Sequence, residues 1–250
     1  MSVIKNMLIG LLFIQIFIPV FAQQKAKSMA PIGVFDSGTG GLTVLEAMLT
    51  LDAFNNKTGK PGPDGKPDFQ SEFFQYLADQ ANMPYGNYAA ENKTKLLQEH
   101  VIKNMDFLLK QAYDAPAAES NKEGVKMLVL ACNTATAYAL NEVKAFSKQQ
   151  DKNIPVVGVI NAGVKAALAY QQSHQKGTIG VFATAGTVAS DGYPKTIRTM
   201  AKQLQMSEPS IVSQGGYGLA DAIDRDYSFF SENANGYRTD YKGPSLKNKQ

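Results

Sequence analysis

One thiol, one carboxylate and several hydroxyls stand where apolar runs give way to small residues. Cys132 is the single cysteine of the 250-residue sequence, and it opens the segment Cys132-Asn133-Thr134. Asp36-Ser37-Gly38 and Thr184-Ala185-Gly186-Thr187 are placed in the same way, each after an apolar run and before a helical pattern. A fourth segment, Asp79 followed by Met83-Pro84-Tyr85-Gly86-Asn87, comes after the run FFQYL. At a strand-to-helix turn the first backbone N–H groups have no intrahelical partner and the helix dipole is positive, so converging turns of this kind suit an anion, a carboxylate above all. The same residues also serve as plain structure. Asp36, Ser37 and Asn133 are ordinary helix-capping types, and a cysteine such as Cys132, taken alone, is more often a small buried residue than a catalytic one.

The elements that must position these turns alternate. The run PIGVFD (31–36) reads as a strand and residues 42–51 as a helix. FFQYL (73–77) is a second strand. Residues 93–113 carry Leu96, Leu97, His100, Val101, Met105, Leu108 and Leu109 at helical spacing. VKMLVLA (125–131) is almost wholly apolar, as a strand covered on both faces must be. Residues 136–146 form a helix, IPVVGVI (154–160) a strand, 164–171 a helix, TIGVFA (178–183) a strand and 193–205 a helix. The alternation predicts an α/β fold of mostly parallel sheets with helices on both faces. Ligands of such sheets bind beyond the carboxyl ends of the strands, where the four polar segments stand. Residues 53–72, rich in Gly, Pro, Lys and Asp, are long for an α/β connection and read as an inserted surface loop.

The composition, 44% hydrophobic and 19% charged, belongs to a globular chain and excludes a disordered or collagen-like one. The net charge of +3 comes without a basic block, so nothing asks for nucleic acid as a partner. A single cysteine excludes an intrachain disulfide and any multi-cysteine metal site, and His100 and His174 stand far apart, which argues against a metal centre. Lys5 precedes the apolar run MLIGLLFIQIFIPV (7–20), and Val20-Phe21-Ala22 supplies a cleavage pattern before Gln23. Residues 1–22 therefore read as a secretory signal peptide that sends the chain to the periplasm. The run is short for a membrane span, leaving no stable span after cleavage. The other reading of it is an N-terminal anchor or a buried helix.

The segments IGVFDSGTGGLTVL (32–45), YLADQANMPYGN (76–87), LVLACNTATAYAL (128–140), PVVGVINAG (155–163) and IGVFATAGTVASDGY (179–193), in that order, resemble glutamate racemase of the aspartate/glutamate racemase family. The resemblance implies two pseudo-symmetric α/β domains, here residues 30–153 and a partial second domain over 154–250 with an irregular tail. It implies an active site between them, a homodimer, and cofactor-independent interconversion of L- and D-glutamate that supplies D-glutamate for peptidoglycan. It also assigns roles. Cys132 would remove the α-proton, Asp36 would assist it, and Ser37, Tyr85, Gly86, Asn133 and Thr134 would hold the acidic amino acid. A thiol at a helix N-terminus is expected to ionise more easily than a free one. Thr184 and Thr187 are secondary candidates.

The sequence departs from the family in one respect. Racemisation needs an acid/base group on each face of the substrate, and the family's second cysteine block, Gly-Cys-Thr-His, does not occur here. Asp191, Asp221, Asp224, Asp226 and His174 are the substitutes available, each of which also reads as a solvated surface group. Two alternatives therefore stay open beside a racemase: a one-cysteine relative with one-sided proton chemistry, such as a lyase or decarboxylase, and a non-catalytic amino-acid-binding protein on the same scaffold.

Overall fold

A computed structural model describes residues 29–110, 124–150, 154–174, 177–223 and 227–231. The leader reading at 1–22, the end of the expected helix at 111–113, Asp224, Asp226 and the tail from 232 lie outside the described residues.

Four strands, β1 (Ile32–Asp36), β2 (Phe74–Ala78), β3 (Met127–Leu130) and β4 (Val156–Gly158), form one parallel sheet in the order β2-β1-β3-β4. Alternate side chains leave opposite faces of a strand, and both faces of β1 are covered. Phe35 turns to one face, where it packs with Leu97, Val101, Met105 and Leu108 of α3 (Thr94–Lys110) and Val143 of α4 (Asn133–Gln149). Ile32 and Val34 turn to the other, against Val44, Leu45 and Met48 of α1 (Gly41–Thr50). A short helix, α2 (Tyr85–Ala90), lies between β2 and α3. The chain leaves β4 directly into α5 (Val159–His174). The strand expected over 154–160 is thus shorter and the helix expected from 164 starts earlier. The apolar residues Val159 and Ile160 continue the pattern only because they begin a helix whose first turn is packed inward, and an apolar run does not distinguish the two.

A second sheet holds β5 (Thr178–Thr184) and β6 (Ser210–Gly216), parallel and in register from Thr178↔Ser210 to Thr184↔Gly216. Between them come α6 (Ala185–Ala189) and α7 (Gly192–Gln203), and α8 (Leu219–Ile223) follows β6. One face of this sheet is packed: Val181 meets Ile160, Val164 and Leu168 of α5 and Ile197 and Ala201 of α7. On the other face Phe182 and Val212 are exposed.

The inserted loop carries its own scaffold of carboxylates. Asp52 accepts from the backbone N–H groups of Asp64 and Gly65, Asp64 from Asn56, and Asp68 from Ala53 and Phe54. It joins α1 to β2, so it stands at the end of the sheet opposite the turns that carry Asp36 and Cys132.

Candidate active site

The parallel pairing of β1 with β3, which sets Phe35 opposite Leu130, carries the two strand ends to the same edge. The next residues are Asp36 and Ser37 on one side and Ala131 and Cys132 on the other. Ala131 N–H donates to the carbonyl of Phe35 at 2.8 Å, which brings both turns level. Asp36 Oδ2 then accepts from the backbone N–H of Gly41 at 2.7 Å, the first residue of α1. Only glycine fits there, since a Cβ on residue 41 would stand 2.7 Å from that of Asp36.

Cys132 is the N-cap of α4, and its Sγ accepts from the N–H of Ala135 at 3.4 Å. Ser37 Oγ lies 3.5 Å from the same sulfur. The thiol is only 6% exposed. Burial, then the negative charge of Asp36, pushes its pKa up to about 11, against the smaller downward pull of the hydrogen bonds from Ser37 and Ala135. The sequence alone led us to expect a lowered value from the helix N-terminus. The helix end is present, but desolvation of the thiolate and a neighbouring carboxylate outweigh it. In this closed arrangement Cys132 holds its proton at neutral pH. Tyr76, whose hydroxyl donates to the carbonyl of Gly38 at 3.0 Å, is pushed up to about 12 by burial, then by Asp36 and Cys132.

A second carboxylate supports the turn after β2. Asp79 is buried, and its Oδ2 accepts from Tyr85 Oη at 2.7 Å and from Asn104 Nδ2 at 2.9 Å, while Asn82 Nδ2 reaches both carboxylate oxygens. The backbone N–H of Asp79 donates to the carbonyl of Asp36 at 3.0 Å. Tyr85 is thereby fixed in the core, and burial and then its bond to Asp79 raise its pKa. Its hydroxyl is committed to Asp79 and is not offered to a ligand.

The second half closes over these residues. Tyr193 Oη donates to Asn133 Oδ1 at 2.6 Å. Thr134 Oγ1 and Thr187 Oγ1 are 2.9 Å apart, and Thr184, the N-cap of α6, donates to Thr187 Oγ1 at 3.0 Å. Tyr138 Oη donates to the carbonyl of Gly186 at 3.0 Å. Gly186 in turn stands against Gly86, where a Cβ would come within 2.4 Å of the Gly86 carbonyl oxygen.

All seven residues expected at a site, Asp36, Ser37, Tyr85, Gly86, Cys132, Asn133 and Thr134, therefore gather at the carboxyl ends of β1, β2 and β3, and Thr184 and Thr187 face them from β5 and α6. The proposed second acid/base groups scatter. Asp191 is half-exposed before α7, 4.0 Å from Lys195. His174 stacks on Tyr170 at the far end of α5. Asp221 lines a cleft of about 280 Å³ shared with Gly86, Thr184, Gly186 and Tyr217. Sequence reasoning noted Asp79 by position only and missed Asn104, Tyr76, Tyr138 and Tyr193. Asn104 did leave a signal, a polar residue inside the apolar stripe 101, 105, 108 of α3. Among the described residues no cluster of three or more His, Cys, Asp or Glu could hold a metal ion, and no helix is long and apolar enough to cross a membrane.

The site can exchange a proton at sulfur, beside the Ser37 hydroxyl and the first backbone N–H groups of α4, in a place from which bulk water is excluded.

The chain is 38% identical to a glutamate racemase of Levilactobacillus brevis over 176 residues, 70% of this chain and 49% of the relative. It is 36% identical to one from Streptococcus pyogenes, covering 70% of this chain and 51% of the other. Among solved structures, a glutamate racemase of Bacillus anthracis superposes with a TM-score of 0.55 at 29% identity, covering 80% of this chain and 57% of that one. The glutamate racemase of Francisella tularensis in complex with D-glutamate gives 0.56 at 26% identity, with the same coverage. No family model matches the chain. The chain is thus a homologue of glutamate racemases that spans about half the length of the curated relatives it matches, and it has their α/β fold.

Proposed function

We propose that this chain serves the racemisation of glutamate from L to D, with Cys132 as the group that exchanges the α-proton. Supporting this is the homology together with one observation: the thiol sits at the N-terminus of α4 with Ser37 at 3.5 Å and Asp36 beside it. The substrate carboxylates take the first N–H groups at the start of α4, and the substrate ammonium offsets the charge of Asp36 that opposes ionisation of the thiol. The thiol gives up its proton to water as the substrate enters, and the thiolate then takes the proton from Cα. The electron pair of the C–H bond passes into the adjoining carboxylate, whose developing charge the same N–H groups stabilise. A donor on the opposite face returns a proton to Cα and inverts the centre. Cys132 is the sole thiol of the chain, so a second donor drawn from its own residues is not a cysteine. D-glutamate made in this way would feed peptidoglycan.

The test is isotope exchange in deuterated water. With L-glutamate, we expect deuterium at Cα and D-glutamate to appear together, and Cys132→Ser to remove both. Absence of exchange with glutamate would overturn the proposal. Exchange with retained configuration would leave Cys132 working as a base but end the claim of racemisation.

A further inference from the structure

We propose that the inserted loop docks one end of the molecule on a bilayer of anionic phospholipids, with Lys57, Lys60 and Lys66 on the lipid phosphates and Phe54 in the interface. The loop sorts its charges by depth. Asp52 accepts from the backbone N–H groups of Asp64 and Gly65, Asp64 from those of Asn56 and Lys66, and Asp68 from those of Ala53 and Phe54. Every carboxylate oxygen of the three is thus taken by the loop's own backbone, and the three residues are half-buried. Lys57, Lys60 and Lys66 are exposed instead, and among the described residues none of them is in an ion pair. The carboxylates balance the lysines in number, so the loop attracts anions at contact and not from afar. Its shape is fixed by the same bonds, by the bridge of Phe54 to Pro61 and by the Asn55 N–H on the Lys60 carbonyl at 2.9 Å, so little order has to be gained on docking.

Apolar side chains gather at the same end of the molecule. Phe54 is exposed within the loop, Leu49 and Leu51 where α1 runs into it, Phe73 where it runs into β2, and Met29 just ahead of β1. The N–H of Ile32 donates to the Phe73 carbonyl at 2.8 Å, and that of Asp68 to the Leu51 carbonyl at 2.6 Å, which ties these positions to one end of the sheet. Apolar groups beside lysines suit a lipid interface: the former leave water among the acyl-chain ends while the ammonium groups meet phosphate. The sequence points the same way. The apolar run 7–20, read above as a leader or an anchor, precedes β1 and joins the body at this end through Met29. Docked so, the molecule turns Asp36 and Cys132, at the opposite end of the sheet, away from the membrane.

This inference goes beyond the racemase reading and does not rest on it. The chain has no tryptophan, so Phe54→Trp places a single reporter in the loop. Its emission is followed as vesicles are added to the full chain, either phosphatidylglycerol and phosphatidylcholine in equal parts or phosphatidylcholine alone. We expect a blue shift with the first and none with the second. Adding Lys57→Gln, Lys60→Gln and Lys66→Gln together should weaken binding about a hundred-fold, a lysine at an anionic surface being worth about five-fold. Emission unmoved by anionic vesicles would overturn the proposal. An equal shift with both kinds of vesicle, or one that survives the three glutamines, would overturn it too, since apolar adsorption alone would then suffice. A shift that grows with protein concentration and needs no vesicles would assign the face to a second copy of the chain and equally end the proposal. Isotope exchange on soluble glutamate should be unchanged by the glutamine substitutions, so its absence in the unaltered chain would count against the catalytic reading alone.

Discussion

At the level of single residues, the decisive fact is a thiol that keeps its proton. Cys132 is walled in beside a carboxylate, and both effects disfavour the anion. Stability should register this. The folded thiol titrates near pH 11 and the unfolded one near 9, so above pH 9 the unfolded chain releases a proton that the native state retains. The contribution is fully present below pH 9 and drains away as pH rises to about 11. A shift of about two units corresponds to about 3 kcal/mol across that window. Comparing urea midpoints of the unmodified protein and Cys132→Ala from pH 7 to 11 isolates the thiol, because the remaining groups titrate in both. The unmodified protein should lose stability more steeply above pH 9, and parallel curves would show that the sulfur is not held as described. The same physics explains why the expectation of an easily ionised thiol failed. A sequence shows that Cys132 precedes a helix, but it does not show how little water reaches it or that Asp36 lies beside it.

At the level of elements, one tetrapeptide occurs twice with different surroundings. Ile-Gly-Val-Phe forms residues 32–35 in β1 and residues 179–182 in β5. Phe35 is 0% exposed and Phe182 is 66% exposed. Beside β1 lies a parallel strand on each edge, with α3 and α4 over Phe35. Beside β5 the described residues supply β6 on one edge, and the face bearing Phe182 has no such cover. Phe35→Ala should therefore cost about 4 kcal/mol, the ordinary toll of a deleted core aromatic, whereas Phe182→Ala should stay within about 0.5 kcal/mol. Denaturant titration of the two variants checks this, and equal losses would mean that Phe182 is covered in solution. The pair also marks how far the sequence could be read. β1, β3 and β5 were legible because apolar runs end in polar turns, and the candidate residues stand at their ends. β6 was missed because Ser210-Ile211-Val212-Ser213-Gln214-Gly215-Gly216 is half-wetted and mostly polar, without the run that betrays a strand covered on both faces. The contacts between the halves were out of reach altogether: nothing in sequence spacing joins Thr134 to Thr187 or Asn133 to Tyr193.

Taken as a whole, the molecule consists of two bodies of unequal strength joined by a polar seam. The first has a four-stranded sheet buried on both faces, with Phe35, Leu97, Met105, Leu108 and Leu130 among its dry residues. Among the described residues the second has two strands packed on one face, on Val164, Leu168 and Ile197. Sheets of two strands are marginal by themselves and depend on their helices. Because few apolar side chains cross the seam, the second body can open while the first stays folded, so the molecule should not behave as a single cooperative unit. Native-state hydrogen exchange would resolve the two. Amides of β5 and β6 should exchange through a sub-global opening at least about 2 kcal/mol below the global unfolding free energy that governs β1 and β3. Labelling of Cys132 should follow whichever opening lies lower, the seam or the second body. Uniform protection of all six strands would mean that the halves support each other more strongly than the hydroxyl seam allows, and it would place entry to the thiol at the cost of unfolding the whole chain.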